Sequence, residues 1–279
     1  MNFLRCKRYS AVGTMTAVLL ALPPGAWPHG YAGKRIFPTT LAIDDPFVMD
    51  ELSLLASHSK EPGVGDAPAI LATAISEEYT ARITPHFGML LGSEFRHLEP
   101  DGKDALDGFG NLEIGAKYQF LTNATHEAIA SIGLEAEVGG TGDRRAGAVP
   151  FSTLSPQLFF GKGIGDLPES AKYLRPLAVT GILSAAFPTA DRTVALRTRE
   201  TGAIEKETAR NPTTLHWGIA VQYSLQYLQS VVCDVGLKAP FSEMIPVVEF
   251  AMQTCLNAPC QGQTTGTINP GVIWFGRYV

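Results

Sequence analysis

Cys255 and Cys260 enclose only Leu-Asn-Ala-Pro, a spacing at which two thiols in an oxidising compartment can close a small loop. Of the other two cysteines, Cys6 lies in a basic N-terminal stretch without the small-residue context of a lipidation site, and Cys233 has no near partner. Zinc would need a further ligand at a workable spacing, and the nearest histidine, His216, stands alone. Asp44, Asp45 and Asp50 are residue types that hold hard cations, yet beside Pro46 short carboxylates read first as turn caps. No metal site is expected.

Nucleophilic chemistry is thinner still. His126 and Ser131 are the residue types of a hydrolase, but nothing in the sequence pairs them. Gly161-Lys-Gly-Ile-Gly165 departs from the spacing of both nucleotide-binding fingerprints. The chain holds no Gly-x-Ser-x-Gly, His-Glu-x-x-His or Cys-x-x-Cys motif and no phosphate loop. The expectation is a protein with no catalytic residues and no cofactor.

A third set of polar residues is distinguished by its period: Glu113, Lys117, Glu135, Glu137, His216, Gln222 and Glu249. Over 110–120, Leu112, Ile114, Ala116, Tyr118 and Phe120 share one face while Glu113, Gly115, Lys117 and Gln119 share the other. Over 128–138, Ala130, Ile132, Leu134 and Ala136 oppose Ser131, Gly133, Glu135 and Glu137. Over 215–227, Leu215, Trp217, Ile219, Val221, Tyr223, Leu225 and Tyr227 oppose His216, Gly218, Ala220, Gln222, Ser224 and Gln226. In a soluble sheet the polar set would face water, and in a transmembrane barrel it would line the lumen.

The elements that must position these residues are strands. Weaker alternation at 51–59, 69–81, 83–98, 151–162, 173–188, 244–256 and 267–279 brings the total to about ten. Several reach the roughly 9 to 11 residues that a tilted strand needs to cross a bilayer. Longer connections at 60–68, 99–108, 139–150, 189–213 and 257–266 alternate with tight ones such as Ala81-Arg82 and 122–126, the asymmetry of external loops and periplasmic turns. Tyr223 and Tyr227 near one strand end match an interfacial girdle.

With 279 residues, 45% of them hydrophobic, and a net charge of −5 with mixed signs, the chain has material for a packed fold and no basic footprint for nucleic acid. Its 28 glycines and 19 prolines are spread as punctuation between short elements, which favours an all-β chain. Arg5, Lys7 and Arg8 precede an apolar run over 11–22, too short for a membrane helix of roughly 20 residues. Pro23, Pro24 and small residues at Ala26 and at Gly30 to Ala32 follow, so 1–28 reads as a secretory leader with cleavage between 26 and 32. Residues 29–50 form a Pro-braced irregular stretch that lies under the barrel or enters it as a small plug, and 51–279 forms the barrel.

These residues also carry a likeness. The start His29-Gly-Tyr, Arg35-Ile-Phe-Pro, Asp44-Asp-Pro-Phe47 and Asp50-Glu-Leu-Ser53, with Gly108-Phe-Gly-Asn-Leu-Glu-Ile-Gly-Ala-Lys-Tyr-Gln-Phe120, resembles proteobacterial outer-membrane barrels of the family named for the phenol-degradation meta-pathway. The resemblance covers nearly the whole mature chain and implies a location and a fold rather than any chemistry. Such barrels close on a C-terminal aromatic after another strand pair, whereas this sequence stops at Arg277-Tyr278-Val279, as a shortened version of a twelve-strand barrel would.

The fold expected is therefore an antiparallel up-and-down transmembrane β-barrel of about ten strands in the bacterial outer membrane. Its partners are outer-membrane lipid, the barrel-assembly machinery and a small solute, hydrophobic by family analogy, that passes through a channel lined by the seven polar residues. Two other readings stand beside it: a soluble periplasmic barrel of lipocalin type with an apolar cavity, and a structural barrel with a filled lumen.

Overall fold

The computed structural model describes residues 31–61, 68–198 and 204–275; the leader expected over 1–28 and the terminal Arg277, Tyr278 and Val279 lie outside the described residues. The chain is all-β. A minimal hairpin of β1 (Tyr31–Ala32) and β2 (Arg35–Ile36) precedes β3 (Glu51–Glu61), β4 (Ile70–Thr84), β5 (Phe87–Pro100), β6 (Leu106–Phe109), β7 (Leu112–Asn123) and β8 (Ala128–Val138). Then come β9 (Thr153–Gly163), β10 (Leu177–Pro188), β11 (Arg192–Thr198), β12 (Ile204–Arg210), β13 (Thr214–Tyr223), β14 (Met244–Cys255) and β15 (Thr264–Trp274).

Ten of these strands form one antiparallel sheet in the order β3-β4-β5-β7-β8-β9-β10-β13-β14-β15, curled into a half-barrel. The short β6 adds to β5, and β11 pairs only with β12. Among the described residues no ladder joins β3 to β15, which leaves a seam between the first and last strands.

The period-2 pattern fixes the register, because a slip by one residue would turn every side chain to the other face. Glu113 stands opposite Glu137, Ser131 opposite Phe159, Thr180 opposite Ala220, and Ala220 opposite Glu249, all on the inward face. The outward row is apolar and exposed: Ile114, Tyr118, Ile132, Leu134, Leu158, Leu183, Trp217 and Ile219 among others. Lys117, Ser131, Thr180, Gln222 and Glu249 on the concave side are buried. The convex face is apolar where a soluble sheet would be polar, while the concave side combines these polar groups with buried Ile129, Phe159, Ile245 and Val247.

Four sequence expectations need correction. The strand read over 215–227 stops at Tyr223, because the Ser224 hydroxyl accepts the Tyr227 N–H at 3.0 Å and starts a helical stretch, Leu225–Tyr227, that runs on through Leu228–Val232. Tyr227 is consequently buried and no part of a girdle. The turn placed at Ala81-Arg82 lies instead at Pro85 and His86, where the Thr84 hydroxyl accepts the Phe87 N–H at 3.0 Å. The asymmetry of connections is incomplete: the rim with the tight turns 85–86 and 124–127 also carries the long 164–176 and 224–243, folded into short helices that hide their length from a strand pattern. At the opposite rim, the connection read as a loop over 189–213 rises as the β11–β12 hairpin.

Candidate functional site: the barrel interior

Residues 31–50 lie against the concave face and fill it from the turn rim to mid-height. The anchor is Arg35, 1% exposed. Its Nε donates to Glu127 Oε2 at 3.1 Å, one Nη donates to the Pro176 carbonyl at 2.8 Å, and the other donates to the Arg175 carbonyl. The guanidinium also sits 3.8 Å from the centroid of the Tyr227 ring, and the Tyr227 hydroxyl donates to Glu127 Oε1 at 2.7 Å. One side chain thus ties together three connections of the turn rim. A buried ion pair is tolerable only when its remaining donors and acceptors are satisfied, as they are here. Burial, then the bond to Glu127, push the Tyr227 phenol up to about 12.

The run Gly161-Lys-Gly-Ile-Gly165 has its explanation at this anchor. A Cβ at Gly163 would meet Glu127 and Arg35, and one at Gly165 would meet Tyr227 and Glu127. These glycines clear space for the ion pair.

Further in, Phe37 packs on Phe47 with ring centroids 6.1 Å apart, in a cluster with Ile129 and Met49. Ile43 packs on Ala220 and Val247. Polar contacts hold the tip. Asp44 pairs with Lys117, which also donates to the Asp45 carbonyl at 2.9 Å and lies 4.5 Å from the Phe159 ring centroid. Glu249 accepts from the Thr40 hydroxyl, from the Ala42 N–H at 2.9 Å and from Asn269 at 2.7 Å. The Ser131 hydroxyl donates to the Pro46 carbonyl, and Gln119 Oε1 accepts the Val48 N–H at 3.2 Å. Asp45 Oδ1 accepts the Phe47 N–H at 2.7 Å, a turn cap, and burial pushes its carboxyl well above the usual carboxylate range against the pull of Lys117. Asp50 then accepts the Arg82 N–H at 2.8 Å and leads into β3.

Of the residues singled out by period, Lys117 and Glu249 grip the N-terminal segment. Gln222 is buried beside Thr180, to which it donates at 3.3 Å. Glu113, Glu135 and Glu137 gather beyond the tip, with Asn111 donating to Glu137 at 2.8 Å and Gln157 to Glu135 at 3.0 Å. Here a cavity of about 150 Å³ is lined by Asp44, Lys117, Glu78, Glu135, Gln157 and Phe159. His216 stays apart, bonded to Thr214 at 2.9 Å. Glu78 escaped the sequence reading because β4 alternates weakly. Arg35, Glu127 and Tyr227 escaped it because no local pattern marks a contact between residues 92 or more positions apart.

The remaining candidates do not converge on a reaction. Ser131 is occupied by Pro46, while His126 Nδ1 lies 3.0 Å from Asp166 Oδ2 at the turn rim. Cys255 and Cys260 are joined in a disulfide at the opposite rim, and Cys233 is free. The interior holds the chain's own N-terminal segment. Compared with protein-family models and with curated proteins, the chain matches none.

Proposed function

We propose that this chain is an exported outer-membrane β-barrel that serves as a port for small solutes, stoppered at rest by residues 31–50. The observation that carries the reading is the contrast between its two faces. A convex belt of Ile132, Leu134, Leu158, Leu183 and Ile219 suits lipid, whereas buried Lys117, Gln222 and Glu249 suit an interior away from lipid. Strands of ten to fifteen residues are long enough to cross a bilayer on a tilt. The leader and the resemblance to the phenol-degradation barrels support the location.

A lipocalin-type barrel would present a polar outside, whereas here the exposed convex belt is apolar and Lys117, Gln222 and Glu249 are buried among the inward apolar residues. The filled structural barrel is the competing account, favoured by the network around Lys117 and Glu249. Fractionation followed by a heat-modifiability gel tests the location: the protein should enter the outer-membrane fraction and migrate differently when unheated, and recovery in the periplasmic fraction would reject the proposal. Bilayer recording then separates port from filled barrel, since only a stoppered port gains conductance when Arg35 is replaced by Ala.

A further inference from the structure

A second cavity, of about 190 Å³, lies at the seam and shares Asp45 with the network that holds the segment tip. Glu51 at the start of β3 and Ile273 near the end of β15 border it from the two free edges. Phe37, Met49 and Phe275 complete an apolar wall, and the polar groups that face in are Asp45, Glu51 and the Thr39 hydroxyl. Among the described residues no lysine, arginine or histidine lines it. Lys117 approaches Asp45 from β7, where it binds the backbone carbonyl.

Size and charge both restrict the occupant. A dry cavity of about 150 Å³ takes a benzene-sized ring, so this one has room for a single ring with a short arm. Carboxyl groups beside aromatic and aliphatic walls match an ammonium carried on a ring, through a charge-assisted hydrogen bond and contact with ring faces. An anion would meet the Glu51 carboxyl, and since Asp45 already accepts the Phe47 N–H and the Thr39 hydroxyl, Glu51, which accepts the Ser53 hydroxyl at 2.9 Å, is the acid left to pair with a cation. The inward face leading there has the same sign, with Glu78, Glu113, Glu135 and Glu137 against Lys117 and Arg96, which concentrates cations.

We propose that the seam cavity binds small aryl-alkyl amines in their ammonium form and that such cations are among the solutes the port handles. Naming a solute class rests on the port reading; binding itself does not. Calorimetric titration of the full chain folded in detergent micelles, with phenethylammonium, phenethyl alcohol and phenylacetate at neutral pH, tests it. The ammonium should bind at least about tenfold tighter than the alcohol, and phenylacetate should not bind. Glu51→Gln should weaken the ammonium about tenfold and leave the alcohol unchanged. Equal affinity for all three compounds, or no ammonium binding at millimolar concentration, would overturn the site. Conductance without amine binding would remove the site and leave the port; amine binding without conductance would do the reverse.

Discussion

Arg35 and Glu127 lie 92 positions apart in sequence, and their buried side chains meet at 3.1 Å. Removing one partner of a buried pair strands the other charge, at a cost of about 3 to 5 kcal/mol. Arg35→Ala should therefore release residues 31–50 before the strands themselves unfold. Hydrogen exchange should show loss of protection over 31–50 with the β7–β14 ladders intact. Unchanged protection there would mean that the apolar cluster around Phe37 holds the segment unaided.

The same contact gives an alkaline signature. The Tyr227 phenol is raised from its ordinary 10.0 to about 12, so the folded state keeps this proton longer than the unfolded one. Its contribution is complete below pH 10 and is lost as pH rises toward 12. Ultraviolet titration should find one tyrosine ionising last, and Glu127→Gln should bring it partway down. Loss of that late step in Tyr227→Phe identifies the group; its persistence would refute the assignment.

The contrast between faces predicts opposite tolerances. Lys at Ile132 or Leu134 should impair assembly by roughly 2 to 4 kcal/mol near mid-membrane, while Gln at Glu135 should not. Assembly yields on heat-modifiability gels measure both. Tolerance of outward Lys with failure of the inward change would mean that the lipid-facing side has been misassigned.

Any current through the interior should favour cations, because Glu113, Glu135 and Glu137 stand together beyond the segment tip. Glu135→Lys with Glu137→Lys should lower or reverse the preference without affecting insertion. Reversal potentials should show the effect fading toward 1 M salt, where the Debye length is about 3 Å. Anion preference in the unmodified protein would contradict this placement.

At the opposite rim, non-reducing mass mapping should recover Cys255 linked to Cys260 and Cys233 alkylated. A loop this small contributes about 2 kcal/mol, so reduction should loosen 256–263, where Asn257 accepts the Thr213 N–H at 2.9 Å, and leave the β13–β14 ladder standing. Loss of that ladder on reduction would assign the bridge a larger role.

Most of the wall was legible because alternation is local. Leu112 to Phe120 announces a strand and its two faces without reference to any other residue. Where a side chain competes with the ladder, that legibility fails: Ser224 ends β13 by capping a turn, although the apolar period runs on through Leu225 and Tyr227. The β11–β12 hairpin was hidden by its mixed pattern, since the sequence puts Val194 and Leu196 in register with Thr208 and Lys206 and leaves neither face apolar. Inside the barrel, Lys117 could be placed on the inward row but not beside Asp44, 73 positions earlier. Asp44 and Asp45 do cap the turn they were read to cap, and the ion pair is added to that role.

The place of Arg35 in the chain has a consequence for the order of assembly. Synthesis makes this residue early, yet its sockets at Glu127, Pro176 and Tyr227 are supplied 92, 141 and 192 positions later. Contacts of such separation close slowly, after the loops between them have been ordered. The segment made before any wall strand must therefore wait until β7 through β13 have paired, and an incomplete wall offers it nothing to hold. Seating of Arg35 thereby reports that β7 through β13 have paired, which makes protection at the N-terminus a late marker of correct folding.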